Sequence, residues 1–316
     1  MYWAQNAAVE GYRTRIISMW YPHPPLRGTL SRWERELSHN NSMSITQQEK
    51  ALRFRALHDG PGTFVIPNPW DAGSARMLAG LGFQALATSS GAAAASIGRR
   101  DGTLTREEAI SHSRLIVEAT DRPVSADLEK GFGDSPEDVA ETVRLAADAG
   151  LVGCTIEDST GDRNSPLFEF SLAVDRIAAA AQAAKALSFP FVLTARAHNF
   201  LYPNPSMQDT IRRLQAFEAA GADVLFAPGL PDLDSVRMVC QSVTKPFNFM
   251  VGLKGKSFSV SELAEAGVRR ISLAASLYRA AMTGLLDAAR EVKDTGQFGF
   301  LDRTLTTAEL NNLLRF

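Results

Sequence analysis

The chain has 316 residues, 45% of them hydrophobic, with 33 basic against 35 acidic residues and a formal net charge of −2. That length and apolar content suffice for one large core; the evenly mixed charge carries no basic footprint for nucleic acid, and no run of about 20 apolar residues is present to span a membrane. Two cysteines, Cys154 and Cys240, with no CxxC pair and no Cys/His cluster, argue against a disulfide scaffold or a thiolate zinc site and fit a cytoplasmic protein.

Residues 1–42 stand apart. They hold three of the four tryptophans (Trp3, Trp20, Trp33) and three of the five tyrosines (Tyr2, Tyr12, Tyr21), and they contain the breaker Pro22-His23-Pro24-Pro25. No continuous apolar stretch marks a signal peptide, and Glu10, Glu34 and Glu36 argue against a transit peptide. An irregular N-terminal extension is expected there, disordered or the product of a start upstream of Met43, ahead of a folded unit over residues 43–316.

From Phe64 onward, short apolar runs alternate with amphipathic stretches. The predicted strands are Phe64–Pro67, Ala85–Thr88, Val124–Asp127, Gly153–Glu157, Phe191–Arg196, Val224–Ala227, Phe247–Val251 and Arg270–Leu273. Runs this apolar suit parallel strands covered on both faces. Between the third and fourth, Ser135 caps a helix opened by Pro136, Glu137 and Asp138, and Val139, Val143, Ala146 and Ala147 form its buried stripe. Met207, Ile211, Leu214 and Phe217 form a second stripe, and Ser259 with Glu262 has capping-box spacing. Four helices end in a related phrase, Ala79-Gly80-Leu81-Gly82, Ala149-Gly150, Ala220-Gly221 and Ala266-Gly267, where glycine turns the chain back toward the sheet. An open doubly wound sheet gives the same alternation, but eight units without a GxGxxG turn favour a closed (β/α)8 barrel of the TIM type with a C-terminal helical extension.

In such barrels chemistry sits at the C-terminal ends of the strands. The third strand runs into Asp127-Leu128-Glu129-Lys130-Gly131, and two carboxylates spaced i, i+2 can share the mouth and suit Mg²⁺. The fourth strand ends in a second acidic pair, Glu157-Asp158. The fifth places Arg196, whose guanidinium can fork onto a carboxylate. After the second strand, Ser89-Ser90-Gly91 offers hydroxyl and amide donors for an anion.

In combination these segments resemble the isocitrate lyase/phosphoenolpyruvate mutase superfamily. The likeness is carried by Pro67-Asn68-Pro69-Trp70-Asp71, Ser89-Ser90-Gly91, Gly98-Arg99-Arg100-Asp101, Asp127-Leu128-Glu129-Lys130-Gly131, Glu157-Asp158, Ala195-Arg196 and Ala220-Gly221-Ala222-Asp223, and it covers roughly residues 43–293. It implies a Mg²⁺-dependent barrel (Mn²⁺ being the alternative) that makes or breaks a C–C or P–C bond beside a 2-oxo acid, through a metal-stabilised enolate. The resemblance makes Asp127 the direct metal ligand, with Glu129, Glu157 and Asp101 holding metal-bound waters. Ser89, Ser90, Gly91 and Arg196 then bind the substrate. A homotetramer is also implied; the stretch Thr306–Leu314 is expected to be a helix too short to stand alone, in need of a partner surface.

The departures narrow the chemistry. Glu129 replaces the family's second aspartate, which lengthens the side chain but keeps the charge. The lyase branch carries a cysteine on the loop after the fourth strand; here that loop reads Ser159-Thr160-Gly161-Asp162-Arg163-Asn164-Ser165-Pro166 and is expected to act as a lid. Asn164 and Ser165 echo part of the mutase loop, whereas Pro228 stands where the mutase has a histidine. His198, just beyond the fifth strand, is a candidate acid, base or positioning group; His58 and His112 are read as structural. The candidate catalytic residues are thus Arg196, His198, Asn164 and Ser165. A lyase acting on a small 2-oxo or 2-hydroxy carboxylic acid leads, followed by a P–C bond enzyme of the phosphonopyruvate type, then a barrel that binds a small acid without turnover.

Overall fold

The structure, a computed structural model, describes residues 45–256 and 258–314; the extension expected over residues 1–42 lies outside them. Eight parallel strands lie in the order β1-β8-β7-β6-β5-β4-β3-β2: β1 (Phe64–Ile66), β2 (Leu86–Ala87), β3 (Val124–Asp127), β4 (Gly153–Glu157), β5 (Val192–Arg196), β6 (Val224–Phe226), β7 (Phe247–Met250) and β8 (Arg270–Ser272). Ladders join every neighbour but β1 and β2. At that seam the Ala87 amide donates to the Pro67 carbonyl at 3.1 Å, which brings the sheet round into the expected barrel.

Helix α1 (Gln47–Asp59) opens with a capping box between Thr46 and Glu49 and closes the N-terminal end, burying Ala51 and Phe54 against Ile66, Val192 and Val224. Helices α2 (Ala72–Gly80), α3 (Ser90–Ser96), α4 (Arg106–Glu118), α5 (Pro136–Asp148), α6 (Phe170–Lys185), α7 (Met207–Ala220), α8 (Leu233–Ser242) and α9 (Val260–Glu265) then surround the strands. Ser135 caps α5 as expected, and Val139, Val143, Ala146 and Ala147 are buried. Behind α5, Gly150 takes φ 90°, and a Cβ there would meet Val117 Cγ1 at 2.8 Å, so glycine is required both by the turn and by the close approach.

The strands are less uniformly apolar than their sequences suggest. In β4, Cys154 and Ile156 point into the helix layer, whereas Thr155 and Glu157 line the interior. In β5 the same alternation sends Leu193 and Ala195 outward and Thr194 and Arg196 inward. One face of each strand therefore builds the core, and the other builds a polar inner wall.

The helix after β8, α10 (Ser276–Thr295), behaves unlike the others. Its first turn is tied in by Ser276 Oγ to the Val251 carbonyl (3.0 Å), yet it buries none of its side chains, and Leu285 and Leu286 are 60% and 51% exposed. The expected terminal helix, α11 (Thr307–Leu313), is capped by Thr306 and leans on α2 of its own chain near Gly80, leaving most of its surface bare. No helix among the described residues is long and apolar enough to cross a membrane.

Candidate active site

A cavity of about 770 Å³ opens at the C-terminal ends of the strands. Ser89, Ser90, Gly91, Asp101, Asp127, Glu129, Glu157, Arg196 and His198, all expected at the site, line it; Asn164 and Ser165 do not.

Asp127 ends β3. Its Oδ2 accepts from Ser90 Oγ at 3.0 Å and from the Ser90 amide at 3.3 Å, while its own amide donates to Thr88 Oγ1 at 3.1 Å. The donors expected to serve a substrate carboxylate are thus turned partly onto Asp127, and Ser89 Oγ caps α3. Burial pushes the Asp127 carboxyl above its ordinary range and the charge of Glu157 adds to this, with Arg196 and the Ser90 bonds opposing.

Glu129 lies past the strand end rather than on it. It sits in a turn where Glu129 (φ 51°) and Phe132 (φ 59°) adopt the left-handed region that side chains avoid, a local cost of about 1 kcal/mol or more each. That turn, not strand alternation, aims Glu129 into the mouth. Burial, then Asp127, Asp101 and Glu157, raise its carboxyl to about 8. Asp101 is exposed and reaches in beside Gly91, where an added Cβ would lie 3.1 Å from its Oδ2.

Glu157 is paired. Burial alone would raise its carboxyl, but Arg196 Nη1 at 3.2 Å from Oε2 and the His198 ring outweigh it, holding it at about 2. Arginine can only donate, so His198 Nε2 accepts from Arg196 Nη2 at 3.0 Å and the ring proton belongs on Nδ1. Nδ1 lies 3.3 Å from Glu157 Oε1, within ion-pair range but off the hydrogen-bond axis. Arg196 Nε is buried with no partner among the described residues. Both ring nitrogens of His198 thus face its neighbours, which makes it a brace for Arg196 and Glu157.

Asp158 corrects the reading of a second acidic pair. Successive strand positions face opposite sides, so it turns away from the cavity and is buried, accepting from the His198 amide at 2.8 Å and from Arg213 Nη1 at 3.2 Å. There it anchors the loop between β4 and α6, a short hairpin whose stem pairs Ser159 with Leu167. Ser159 Oγ and the Tyr202 hydroxyl lie 2.7 Å apart, and Lys130 Nζ donates to the Thr160 carbonyl at 3.1 Å. The tip, with Asn164 and Ser165, is exposed.

Among the described residues no three His, Cys, Asp or Glu side chains crowd closely enough to chelate an ion between them. The donor set is instead single carboxylates around shared space, an arrangement suited to Mg²⁺, which takes one or two carboxylates and keeps several waters. Sequence reasoning missed the polar lining lower down, Asn68, Thr155, Asn248 and Arg270. The available signal was the alternation Arg270-Ile271-Ser272 inside an otherwise apolar run.

Comparison with known proteins places these residues in context. The family model described as phosphoenolpyruvate phosphomutase matches residues 54–293. A Burkholderia cenocepacia protein of known structure, described as a lyase/mutase, is 48% identical, with a TM-score of 0.84 over 85% of this chain and 97% of that one. The structure of 2,3-dimethylmalate lyase, a member of the phosphoenolpyruvate mutase/isocitrate lyase superfamily, is 28% identical with a TM-score of 0.76, covering 84% and 95%. An oxaloacetate decarboxylase of Pseudomonas savastanoi pv. phaseolicola is 29% identical over 253 residues, 78% of this chain and 86% of that one.

Proposed function

The chain belongs to the phosphoenolpyruvate mutase family, within the isocitrate lyase/phosphoenolpyruvate mutase superfamily, and on that premise we propose that it is a metal-dependent lyase, cleaving or decarboxylating at a C–C bond of a small 2-oxo or 2-hydroxy dicarboxylic acid. The observation that carries this reading is the convergence of Asp127, Glu129 and Glu157 on one mouth opposite Arg196. Relatives named for 2,3-dimethylmalate and oxaloacetate support the substrate class.

Asp127 would be the direct ligand for Mg²⁺ or Mn²⁺, with Glu129, Glu157 and Asp101 placed to hold water around it. Such a cation supplies fixed positive charge to a 2-oxo or 2-hydroxy oxygen. Arg196, braced by His198 and Glu157, lines the cavity, where its guanidinium grips the substrate carboxylate and neutralises charge that develops beside it. Ser89, Ser90 and Gly91 orient the same carboxylate. The hairpin tip 161–165, with Asn164 and Ser165, closes over bound acid and excludes water; slower amide exchange there with oxalate and Mg²⁺ checks this, and unchanged exchange argues against it.

The decisive assay offers 2-oxo acids, malates, citrates and phosphonopyruvate with and without Mg²⁺. Release of a 2-oxo acid or CO₂ supports the reading. Phosphate release supports the P–C alternative, which Pro228 and the exposed Asn164 and Ser165 weaken. Tight oxalate binding without turnover points to a non-catalytic barrel.

The protein assembles with copies of itself as a homotetramer, α10 laying its bare leucine face on a neighbour. Light scattering showing a monomer across micromolar concentrations would remove this part of the proposal.

A further inference from the structure

Below the carboxylates the same cavity ends on a cation for which the site described above has no use. Arg270 opens β8, is 4% exposed and lines the cavity. Strand alternation sends Ile271 into the helix layer and turns Arg270 and Ser272 inward. Arg270 Nε donates to Asn248 Oδ1 at 2.8 Å, Nη2 donates to Thr194 Oγ1 at 3.0 Å, and Nη1 faces His58 Nε2 at 3.5 Å.

None of these partners carries a negative charge. His58 Nδ1–H is committed to the Phe54 carbonyl at 2.8 Å, which leaves Nε2 a neutral acceptor. No carboxylate among the described residues pairs with Arg270: Glu157 is paired with Arg196 and Asp158 with Arg213, while Asp127 and Glu129 lie at the mouth. Burial lowers the guanidinium to about 9, so it remains charged at neutral pH. Arginine has five N–H donors, and those left over on Nη1 and Nη2 have no partner among the described residues. A buried cation without a counter-ion is unfavourable, and it is relieved by an anion that enters the cavity beside it.

The spacing defines which anion. Thr194, held by Arg270, lies two residues before Arg196 on β5, so the guanidinium meets that strand about 7 Å, measured along it, on the inner side of the Arg196 backbone. We infer that Arg270, oriented by Asn248 and Thr194, forms an inner anion pocket that takes the far carboxylate of a dicarboxylic 2-oxo acid whose reacting end lies at Asp127 and Arg196. The inference rests on the proposed 2-oxo acid site and makes Arg270 its specificity-determining residue: the mouth recognises the 2-oxo acid end, and the floor recognises that the molecule is a diacid.

The test is calorimetry with Mg²⁺ on ligand pairs that differ only in the far carboxylate: oxaloacetate with 2-oxobutanoate, 2-oxoglutarate with 2-oxopentanoate, and 2-oxoadipate with 2-oxohexanoate. At least one diacid should bind about tenfold or more tightly than its partner, the size of one charge-assisted contact. Arg270→Met should bring that pair to within about twofold while leaving monoacid affinity unchanged, and its melting temperature should not fall, because an apolar side chain replaces an uncompensated buried charge. Arg270→Lys, which keeps the charge and loses the fork, should retain part of the preference and carries the test if the Met variant does not fold. Binding of 2-oxo acids with no diacid preference in the native protein, or a preference that survives Arg270→Met, overturns the inner pocket alone. A native protein that binds no 2-oxo acid overturns the proposed site as well.

Discussion

The mouth and the floor of the cavity are charged in opposite senses and are incomplete in opposite senses. At the mouth, burial raises the Asp127 and Glu129 carboxyls; Glu157 adds to this at Asp127, and Asp127, Asp101 and Glu157 add to it at Glu129, with Arg196 opposing at both. At the floor, Arg270 is a cation bonded to neutral groups only. Between them Glu157, Arg196 and His198 are paired with one another, with Arg196 Nε left over. Charges that already have partners hold a fold together, whereas charges short of partners favour a ligand that supplies them. A diacid with a divalent cation at its 2-oxo end brings positive charge to the mouth and negative charge to the floor.

Substitutions along this axis test the comparison. The largest effect is expected from Asp127→Ala, which should abolish metal-dependent turnover while leaving the metal-free protein folded, since removing a carboxylate that burial disfavours offsets the loss of its two bonds from Ser90. Full activity with unchanged metal dependence would sink the metal assignment. Next, Arg196→Lys keeps the charge but loses the planar fork, and kcat/KM should drop by the equivalent of about 2–4 kcal/mol of transition-state stabilisation. A fall in melting temperature with intact kcat/KM would instead make Arg196 purely structural.

The paired and unpaired acids should then part company. Glu129→Gln and Glu157→Gln should each weaken metal affinity by about 10–100-fold. Only Glu157→Gln should also destabilise the fold, by on the order of 3 kcal/mol, because it leaves Arg196 buried without its partner. Equal melting temperatures for the two variants would mean that Glu157 is no more firmly paired than Glu129.

The last effect lies at the floor and appears only as pH falls. Burial first, then the neighbouring Arg270 charge, lower His58 from 6.5 to about 3. Between those values the unfolded chain binds a proton that the folded chain refuses. The resulting stability is therefore complete above about pH 6.5 and declines as pH falls toward about 3, at no more than about 1.4 kcal/mol per pH unit. His58→Phe should flatten that slope in denaturant titrations between pH 4 and 7, and an unchanged slope would mean that His58 is protonated in place.

Sequence patterning reached the barrel almost to the residue. Val124–Asp127 and Gly153–Glu157 are the observed β3 and β4, because a short apolar run between a helix-ending glycine or proline and a polar loop has few other ways to be buried. The mouth was legible because strand ends are where such barrels expose side chains. What escaped was anything decided across strands. Arg270 read as the start of a strand, since its partners Asn248, Thr194 and His58 are 22, 76 and 212 residues away. Asp158 looks like half of an acid pair in the sequence, whereas it is turned toward Arg213, 55 residues away. Glu129 lies in the mouth for a reason other than i, i+2 spacing: the left-handed turn that aims it there leaves its trace in Gly131 and Gly133 beyond it, not in Glu129 itself.

Helix α10 carries a consequence for thermodynamics. A single copy leaves Leu285 and Leu286 in water, so its free energy of unfolding omits the largest apolar surface the helix has to bury. If copies supply that burial to each other, folding and association become one mass-action equilibrium, and the melting temperature rises with protein concentration instead of being a constant of the chain. Dilution then acts as a denaturant. Leu285→Asp should mimic dilution by lowering the melting temperature of a concentrated sample toward that of a dilute one, while leaving the dilute sample where it was.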